Sequence, residues 1–401
     1  MEMVLEFLRD VLSQPALLIG IMSCVGLVAL KRPFHKVMTG TLKPILGYLM
    51  LAAGAGVIVS NLDPLGKMIE HGFHITGVVP NNEAIVAVAQ KVLGVETMSI
   101  LVVGLLMNLC IARFTKFKYV FLTGHHSLFM ACLMSAVLGT AGLSGMELIL
   151  VGGFLMGAWS AISPAIGQSY TSKVTEGDEI AIGHFGSLGY YLSAWVAKYV
   201  GKADDSTEDI EIPEKWGFLR DSTLSTALTM IVFYLIAAFA AGSEFVATLS
   251  GDMSPYLYAV MSAMNFAVGV TIVYSGVRMI LGDLIPAFQG IATKIIPNAI
   301  PAVDCAVFFT YAPTAVVLGF ISSFIGGIIG MLILGAVGGV LIIPGLVPHF
   351  FCGATAGIYG NATGGRRGAA VGAFLNGLAI TFLPALALPV LGQLGFQNTT
   401  F

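Results

Sequence analysis

The sequence is poor in charged residues. Only 10% of its 401 residues are Asp, Glu, Lys or Arg, whereas soluble domains carry about 25%. Hydrophobic residues make up 57% of the chain, and the mean hydropathy is +0.90. Apolar runs recur along the whole length, each close to the roughly 17–25 residues that cross a ~30 Å hydrocarbon layer as a helix. The composition therefore excludes a soluble globular fold and indicates a chain embedded in lipid.

Other features that the sequence lacks exclude several classes of function. The net charge is −3, which leaves no basic surface for nucleic acid. The five cysteines include no CxxC pair, and no histidine stands at metal-ligand spacing, so we interpret the cysteines as buried packing residues and expect no metal and no cofactor. The sequence has no GxxxxGK[ST] loop and no ladder of arginines, so we expect neither ATP hydrolysis by the chain itself nor voltage sensing. No nucleophile–base pair emerges, which argues against an enzyme.

The hydropathy pattern predicts nine apolar helices and two further apolar segments that Gly or Pro interrupts. Irregular backbone at membrane depth has to be buried in protein or line a wet cavity, so we interpret the interrupted segments as re-entrant hairpins. The first ten residues lack the basic region and cleavage site of a signal peptide, and we expect the first helix to be retained. The predicted fold class is an all-α polytopic membrane protein with about 9–11 transmembrane helices and two or more re-entrant hairpins. The nine helices are residues 16–30, 45–59, 99–112, 121–138, 148–162, 227–242, 256–277, 316–343 and 368–392; the hairpins are residues 180–198 and 284–302, and residues 343–361 resemble them in their prolines and glycines.

A strongly polar segment divides the chain near its middle. It predicts a first half of residues 1–200, a cytosolic connector of residues 201–224 and a second half of residues 225–401. Basic clusters after the first and third apolar segments favour an N-terminus outside and a connector in the cytosol. Weak echoes such as ILG, found both at 45–47 and at 280–282, also arise by chance in an apolar chain. If real, they fit the repeated halves of many transporters, whose substrate site lies between the repeats.

Polar residues inside apolar segments are candidates for a solute-binding site, because they are costly at membrane depth. Asp304 is the only charged residue between positions 295 and 311. Its carboxylate can accept bonds from two or more solute hydroxyls, although it could instead bond nearby backbone or pair with a distant lysine. His125 and His126 begin an apolar helix, and only one of two adjacent residues can share a given face. His184 lies in a glycine-rich turn that lets backbone approach a ligand, and a satisfied interior imidazole is an equally good interpretation.

Two further segments each allow two interpretations. The run Gly54, Ala55 and Gly56 is either a helix-packing motif of small residues or an unwound stretch whose N–H groups contact a ligand. Asn82 and Glu83 lie in a polar link between apolar segments. The Glu83 carboxylate there is either a solvated loop charge or part of a lid over the site.

Four segments of the sequence, taken together, match the motifs of one known family. They are the stretch GVRMILGDLIPAFQGIATKIIPNAIPAVDCAVFFTYAPTAVVLGF at 276–320, FLTGHH at 121–126, IGH at 182–184 and IIPGLVPHFF at 342–351. In order and spacing they resemble the ascorbate-type EIIC permeases of the bacterial sugar phosphotransferase system. The resemblance implies a homodimeric, multi-pass protein of the bacterial inner membrane, with a scaffold domain and a mobile core domain that carries one substrate by an elevator-like movement.

The resemblance also implies partners and contacts. A cytosolic EIIB protein, charged by an EIIA protein, would phosphorylate the ascorbate, sugar or polyol on the inner side. The substrate contacts that it implies are Ala55, Asn82, Glu83, His125, His184, Asp304 and Cys305, and we add Gly56 as a neighbour in the small-residue run.

The sequence departs from the family pattern in two respects: a pair of side chains and the number of membrane helices. Ascorbate-transporting members have Gln where this chain has Phe129 and Phe185, and losing two amides removes up to four donors and two acceptors. We therefore predict that both rings line the site and that the substrate could be a different polyol, pentitol or sugar. The family usually has one more membrane helix than this sequence supplies.

The rival hypothesis is an ion-coupled secondary transporter of a small polar solute, in which Asp304 binds a proton or Na⁺.

Overall fold

The protein is almost entirely helical. A computed structural model describes residues 11, 14–74, 77–78, 82–210 and 222–392. The helices are α1 (Pro15–Ala29), α2 (Phe34–Gly72), α3 (Asn82–Phe114), α4 (Gly124–Thr140), α5 (Gly145–Thr175), α6 (Ser187–Val200), α7 (Ser222–Ala241), α8 (Ser243–Ser250), α9 (Pro255–Lys294), α10 (Pro313–Ala336), α11 (Leu346–Pro348) and α12 (Ala354–Gly392). The strands are β1 (Tyr119–Phe121), β2 (Ala181–Ile182) and β3 (Ile300–Val303); a 3₁₀ helix, Cys305–Thr310, follows β3, and a π-helical turn, His349–Gly353, precedes α12.

Seven of the nine apolar segments predicted from hydropathy lie on helices to within one residue, whereas 121–138 begins in β1 and 316–343 runs past the end of α10 at Ala336. Six helices in the described part of the chain are long and apolar enough to cross a membrane, or seven if the bent pair α7 and α8 forms one span. The predicted segments 16–30 and 121–138 instead overlap shorter apolar helices, Ile19–Ala29 and His126–Thr140. The protein is thus a multi-pass membrane protein. The number of full-length candidate spans among the described residues is lower than the expected 9–11, because these two segments fall short of a bilayer's width and the predicted segment 227–242 lies in the bent pair.

The long helices pack in three groups. In the first, α2 lies along α9, and both contact α1 and α7. The second consists of α6, α10 and α12, and the third of α3, α4 and α5. Glycines let α2 and α9 touch backbone to backbone: a Cβ added to Gly47 would lie 2.9 Å from the carbonyl oxygen of Gly276, and one added to Gly54 would lie 2.7 Å from that of Gly269. Small residues at a helix crossing allow this close approach in a membrane.

A small parallel sheet interrupts the helices. Its strand order is β1-β3-β2, with Phe121 opposite Ala302 and Ile182 opposite Val303. All four of these residues are buried. Backbone without helical hydrogen bonds is tolerated inside a membrane protein where it is enclosed by protein and bonded internally. The expected all-α fold is therefore corrected in this respect, since the hydropathy pattern predicted no strand.

Both predicted hairpins contain a strand of this sheet. Residues 180–198 comprise β2 and most of α6, and residues 284–302 comprise the end of α9 and most of β3. Neither segment is a pair of helices. Each instead joins a helix to a strand, so the irregular backbone expected from Gly and Pro is present in a different form. Whether these segments are re-entrant stays a prediction.

The connector packs onto the protein over its first ten residues, 201–210. Asp205 Oδ1 lies 3.1 Å from Arg366 Nη2 on α12. The Glu208 carboxylate accepts the backbone N–H of Thr314 at 3.1 Å, in the first turn of α10. These contacts tie the connector to the second helix group. Residues 222–224 of the predicted connector begin α7, whereas residues 211–221 and the C-terminal residues 393–401 lie outside the described residues.

Candidate functional site

The three strands bring polar residues to one edge of the sheet. Asp304 directly follows β3, His184 follows β2 after a single glycine, and His126 lies in the first turn of α4, shortly after β1. The strands are parallel, so their carboxyl ends lie at the same edge. Binding sites commonly lie at the carboxyl ends of parallel strands for this reason. The sheet therefore explains how residues far apart in the sequence meet.

His126, His184 and Asp304 form a buried polar cluster. Their side chains offer one ligand atom each, and these three atoms lie within 4.8 Å of one another. His126 Nε2 is 4.0 Å from Asp304 Oδ1, and the two imidazole rings have their centroids 4.0 Å apart at an angle of 58°. All three residues are less than 9% exposed. The cluster therefore combines a hydrogen-bond acceptor of high charge density with two imidazoles in a site shielded from solvent.

Two kinds of ligand suit these three side chains. Two histidines and a carboxylate can hold a cation, and the hydropathy pattern did not reveal this set because its members come from three separate segments. Zinc bonds of ~2.1 Å at tetrahedral angles place ligand atoms ~3.4 Å apart, so the 4.0 Å between His126 and Asp304 is wide for zinc. A hydroxyl group inserted between an imidazole and a carboxylate needs a wider gap, because it bonds to both sides. The 4.0 Å spacing lies between the ~3.4 Å of a zinc site and the ~4.6 Å across a hydroxyl that bonds both groups, so both kinds of ligand stay candidates.

Helices begin beside this edge. α4 starts at Gly124, α6 starts at Ser187, and the 3₁₀ helix starts at Cys305. The first N–H groups of a helix lack partners inside the helix and carry partial positive charge. Together with the imidazoles, they make the edge of the sheet favourable for oxygen atoms of a solute. Cys305 itself is buried and immediately follows Asp304, and its contact with a solute stays a prediction.

His184 has a second set of contacts away from the cluster. Its Nδ1 accepts the backbone N–H of Gly186 at 2.9 Å and lies 2.8 Å from the Tyr190 hydroxyl. Tyr190 is fully buried. No pattern in the sequence singled out Tyr190, which lies on α6 among other aromatic and apolar residues. The contact between its hydroxyl and His184 depends on the turn before α6, which the sequence alone does not show.

The two phenylalanines that depart from the family pattern have different surroundings. The Phe129 ring lies edge-to-face with the His126 imidazole, with centroids 5.8 Å apart. Phe185 is partly buried against an apolar group that includes Ile100, Met130 and Met156. Phe129 thus neighbours the polar cluster directly, while part of Phe185 contacts the third helix group. The prediction that both rings select the substrate stays a prediction.

The small-residue run on α2 is helical. Residues 34–72 form one continuous helix, so the interpretation of 54–56 as an unwound stretch is wrong, and the backbone N–H groups of Ala55 and Gly56 belong to the helix. Gly54 packs on α9 as described, which favours the helix-packing alternative for that residue. Ala55 is half-buried and Gly56 is exposed. Tyr48, on the same helix, is buried and lies within electrostatic range of Asp304, so α2 does approach the cluster.

Three predicted contact residues cannot be placed as side chains. Asn82 and Glu83 form the start of α3, and His125 lies in the first turn of α4, but the side chains of all three lie outside the described residues. Of the two adjacent histidines, His126 contributes to the cluster. The assignment of a substrate contact to His125 stays a prediction.

Fold and cluster together define a multi-pass membrane protein with an enclosed polar site at helix breaks. Comparison with known families matches residues 10–401 to EIIC-GAT, described as the PTS system sugar-specific permease component. The chain belongs to this family, which confirms the resemblance seen in its motifs. A similar protein is the "Ascorbate-specific PTS system EIIC component" of Mycoplasma pneumoniae, 28% identical over 417 residues, a match that covers 89% of this chain and 62% of the relative. The chain thus spans less than two thirds of that relative's length.

Proposed function

We propose that this chain is the membrane permease component of a sugar phosphotransferase system and that the polar cluster binds the hydroxyl groups of its solute. The observation that carries the proposal is the convergence of His126, His184 and Asp304 at one edge of a buried sheet, in a chain that belongs to the EIIC family. Such groups are expensive inside a membrane protein unless they serve a ligand or a pathway.

The proposed solute is ascorbate or a related sugar or polyol. The relative from Mycoplasma pneumoniae carries the word ascorbate in its name, and the cluster offers the donors and acceptors that hydroxyls and enolic oxygens require. Phe129 beside His126 makes that side of the cluster less polar than an amide would. The proposal therefore includes sugars and polyols as solutes alongside ascorbate.

The proposed transport is an elevator-like movement. The tight contact of α2 with α9 suits a rigid scaffold, which we assign to α1, α2, α7 and α9. The cluster residues belong to segments at α4, at α6 and after β3, which we assign to the mobile core with the second and third helix groups. Residues 295–299 join α9 to β3 and include Asn298 with a φ of 61°; they are one of the non-helical links between the two proposed parts. A homodimer assembled through the scaffold completes this arrangement.

The proposed partners are cytosolic EIIB and EIIA proteins of a bacterial cell. In this proposal EIIB delivers the phosphoryl group from the cytosolic face of the inner membrane, where we place the polar connector. The chain itself binds and moves the solute and holds no phosphoryl group. The proposal thus makes phosphorylation, rather than an ion gradient, the source of accumulation.

A second candidate function is ion-coupled transport, which one observation favours. The three cluster atoms could hold a cation, as the rival hypothesis for Asp304 requires. In that case the solute would accumulate unmodified, and the driving force would be a gradient of Na⁺ or protons.

Transport into proteoliposomes separates the two candidates. Vesicles contain the purified chain and are loaded with phosphorylated EIIA and EIIB, and radiolabelled ascorbate or galactitol is added outside. We expect label to accumulate as a phosphate ester, only when EIIB is present, and at a rate indifferent to Na⁺. Vesicles loaded with EIIA alone are the control. Accumulation of unmodified solute, driven by a Na⁺ or proton gradient, would contradict the proposal and support the second candidate.

A further inference from the structure

The hydrogen bonds of His184 define which of its nitrogens carries the proton. The backbone N–H of Gly186 points to Nδ1 at 2.9 Å. A backbone N–H can only donate, and a neutral imidazole has one accepting and one donating nitrogen. Nδ1 is therefore the acceptor, and the hydrogen of the neutral ring is on Nε2.

The Tyr190 side chain also restricts the His184 ring. Its hydroxyl lies 2.8 Å from the same Nδ1, where it acts as a second donor. Tyr190 is fully buried, and its ring packs on that of Tyr359 with centroids 5.9 Å apart. The Tyr359 hydroxyl is in turn 2.7 Å from Thr171 Oγ1 on α5. A side chain held on several sides positions its hydroxyl with little freedom.

We propose that Tyr190 is a positioning residue that, with the Gly186 N–H, keeps His184 in the Nε2–H form and so presents a hydrogen-bond donor to the solute. The inference rests on the proposed function of the polar cluster. It goes beyond that function by stating which residue donates a hydrogen bond to the solute and which accepts one. His184 donates through Nε2, while the Asp304 carboxylate accepts. A hydroxyl group can accept from the one and donate to the other at the same time.

The protonation state can be read directly by nitrogen-15 solid-state NMR on histidine-labelled protein in lipid bilayers without ligand. The His184 signals are those that disappear in His184→Gln. Wild-type protein should show an unprotonated Nδ1 and a protonated Nε2, and Tyr190→Phe should add signals of the opposite tautomer. Tyr191→Phe is the matched control, because Tyr191 is the next residue and is also buried but bonds the Ser163 carbonyl oxygen at 2.9 Å.

Affinity supplies the second readout. Calorimetric titration with ascorbate and with galactitol should show binding about three- to tenfold weaker in Tyr190→Phe, the loss expected for one hydrogen bond, and within about twofold of wild type in Tyr191→Phe. A wild-type His184 protonated at Nδ1, or a Tyr190→Phe spectrum identical to wild type, would overturn the inference. If Tyr190→Phe does not fold, wild-type spectra decide instead: the Tyr190 hydroxyl proton should be close to His184 Nδ1, and its absence there would overturn the inference. A wild type that binds neither probe counts against the proposed function, while the spectra still test Tyr190.

Discussion

Replacing Asp304 with Asn tests the polar cluster at its only acidic member. The substitution keeps the size and shape of the side chain but removes the charge and turns one acceptor into a donor. The backbone is undisturbed, because Asp304 uses its carbonyl oxygen to accept the N–H of Val307 at 3.1 Å and any residue supplies that group. We therefore expect Asp304→Asn to fold and to lose solute affinity.

The magnitude follows from the burial of the carboxylate. Asp304 is 8% exposed, so water cannot replace a lost solute contact. A hydrogen bond to a charged group is worth about 1.5–3 kcal/mol, which corresponds to a roughly ten- to hundredfold change in Kd.

The assay is calorimetric titration of purified protein with ascorbate, galactitol, pentitols and hexoses. Asp283→Asn is the matched control: Asp283 pairs with Lys43 at 3.6 Å on partly exposed side chains, where an ion pair contributes little. Its affinity should stay within about twofold of wild type. Gel filtration and thermal unfolding establish that both variants are folded.

Two results would refute the reasoning. Wild-type affinity in a folded Asp304→Asn would show that the carboxylate does not contact the solute. Affinity that rises steeply with Na⁺ or with protons in the wild type, and loses that dependence in Asp304→Asn, would assign Asp304 to a coupling ion instead.

Three further predictions concern other parts of the molecule. The double variant Phe129→Gln, Phe185→Gln should bind ascorbate more tightly relative to galactitol because two amides return to the site, and an unchanged preference in titrations with both solutes would show that the rings do not select the substrate. Glu208→Gln should lower the free energy of unfolding by about 1 kcal/mol because it weakens the cap on α10, whereas the exposed neighbour Asp209→Asn should not; equal denaturation midpoints in mixed micelles would contradict the capping role. Gly54→Ala should cost about 1–3 kcal/mol in the same assay because its Cβ would lie 2.7 Å from the Gly269 oxygen, while Gly56→Ala, with nothing within 4 Å of its Cβ, should be tolerated; similar effects of the two would mean that α2 and α9 are not in close contact.

The helices were predictable because burial in lipid leaves a strong signal. A run of apolar residues near the length of a bilayer has few alternatives to a helix, and residues 45–59, 148–162 and 256–277 lie within α2, α5 and α9. Helix ends were less predictable. The helix α2 extends past both ends of the predicted segment 45–59 and contains Pro44 and Pro64, because neighbouring turns and packing accommodate a proline within a membrane helix.

The site was predictable in part. Asp304 and His184 stood out because they are polar in apolar surroundings, and both belong to the polar cluster. The sheet that unites them could not be found, since strands of two to four residues are too short for a period-2 pattern. The place of His126 in the cluster depends on the rotation of α4 after β1, and that of Tyr190 beside His184 depends on the turn at Gly186. Both are set by tertiary packing that a single sequence does not display.

A cryo-electron microscopy structure of the protein in lipid nanodiscs, with ascorbate or with the best ligand from the titrations, tests the proposed site most directly. We expect solute density at the carboxyl edge of the three strands, with one hydroxyl oxygen within hydrogen-bond distance of both His184 Nε2 and the Asp304 carboxylate. Density for the solute elsewhere, with an ion or water alone between His126, His184 and Asp304, would contradict the proposal.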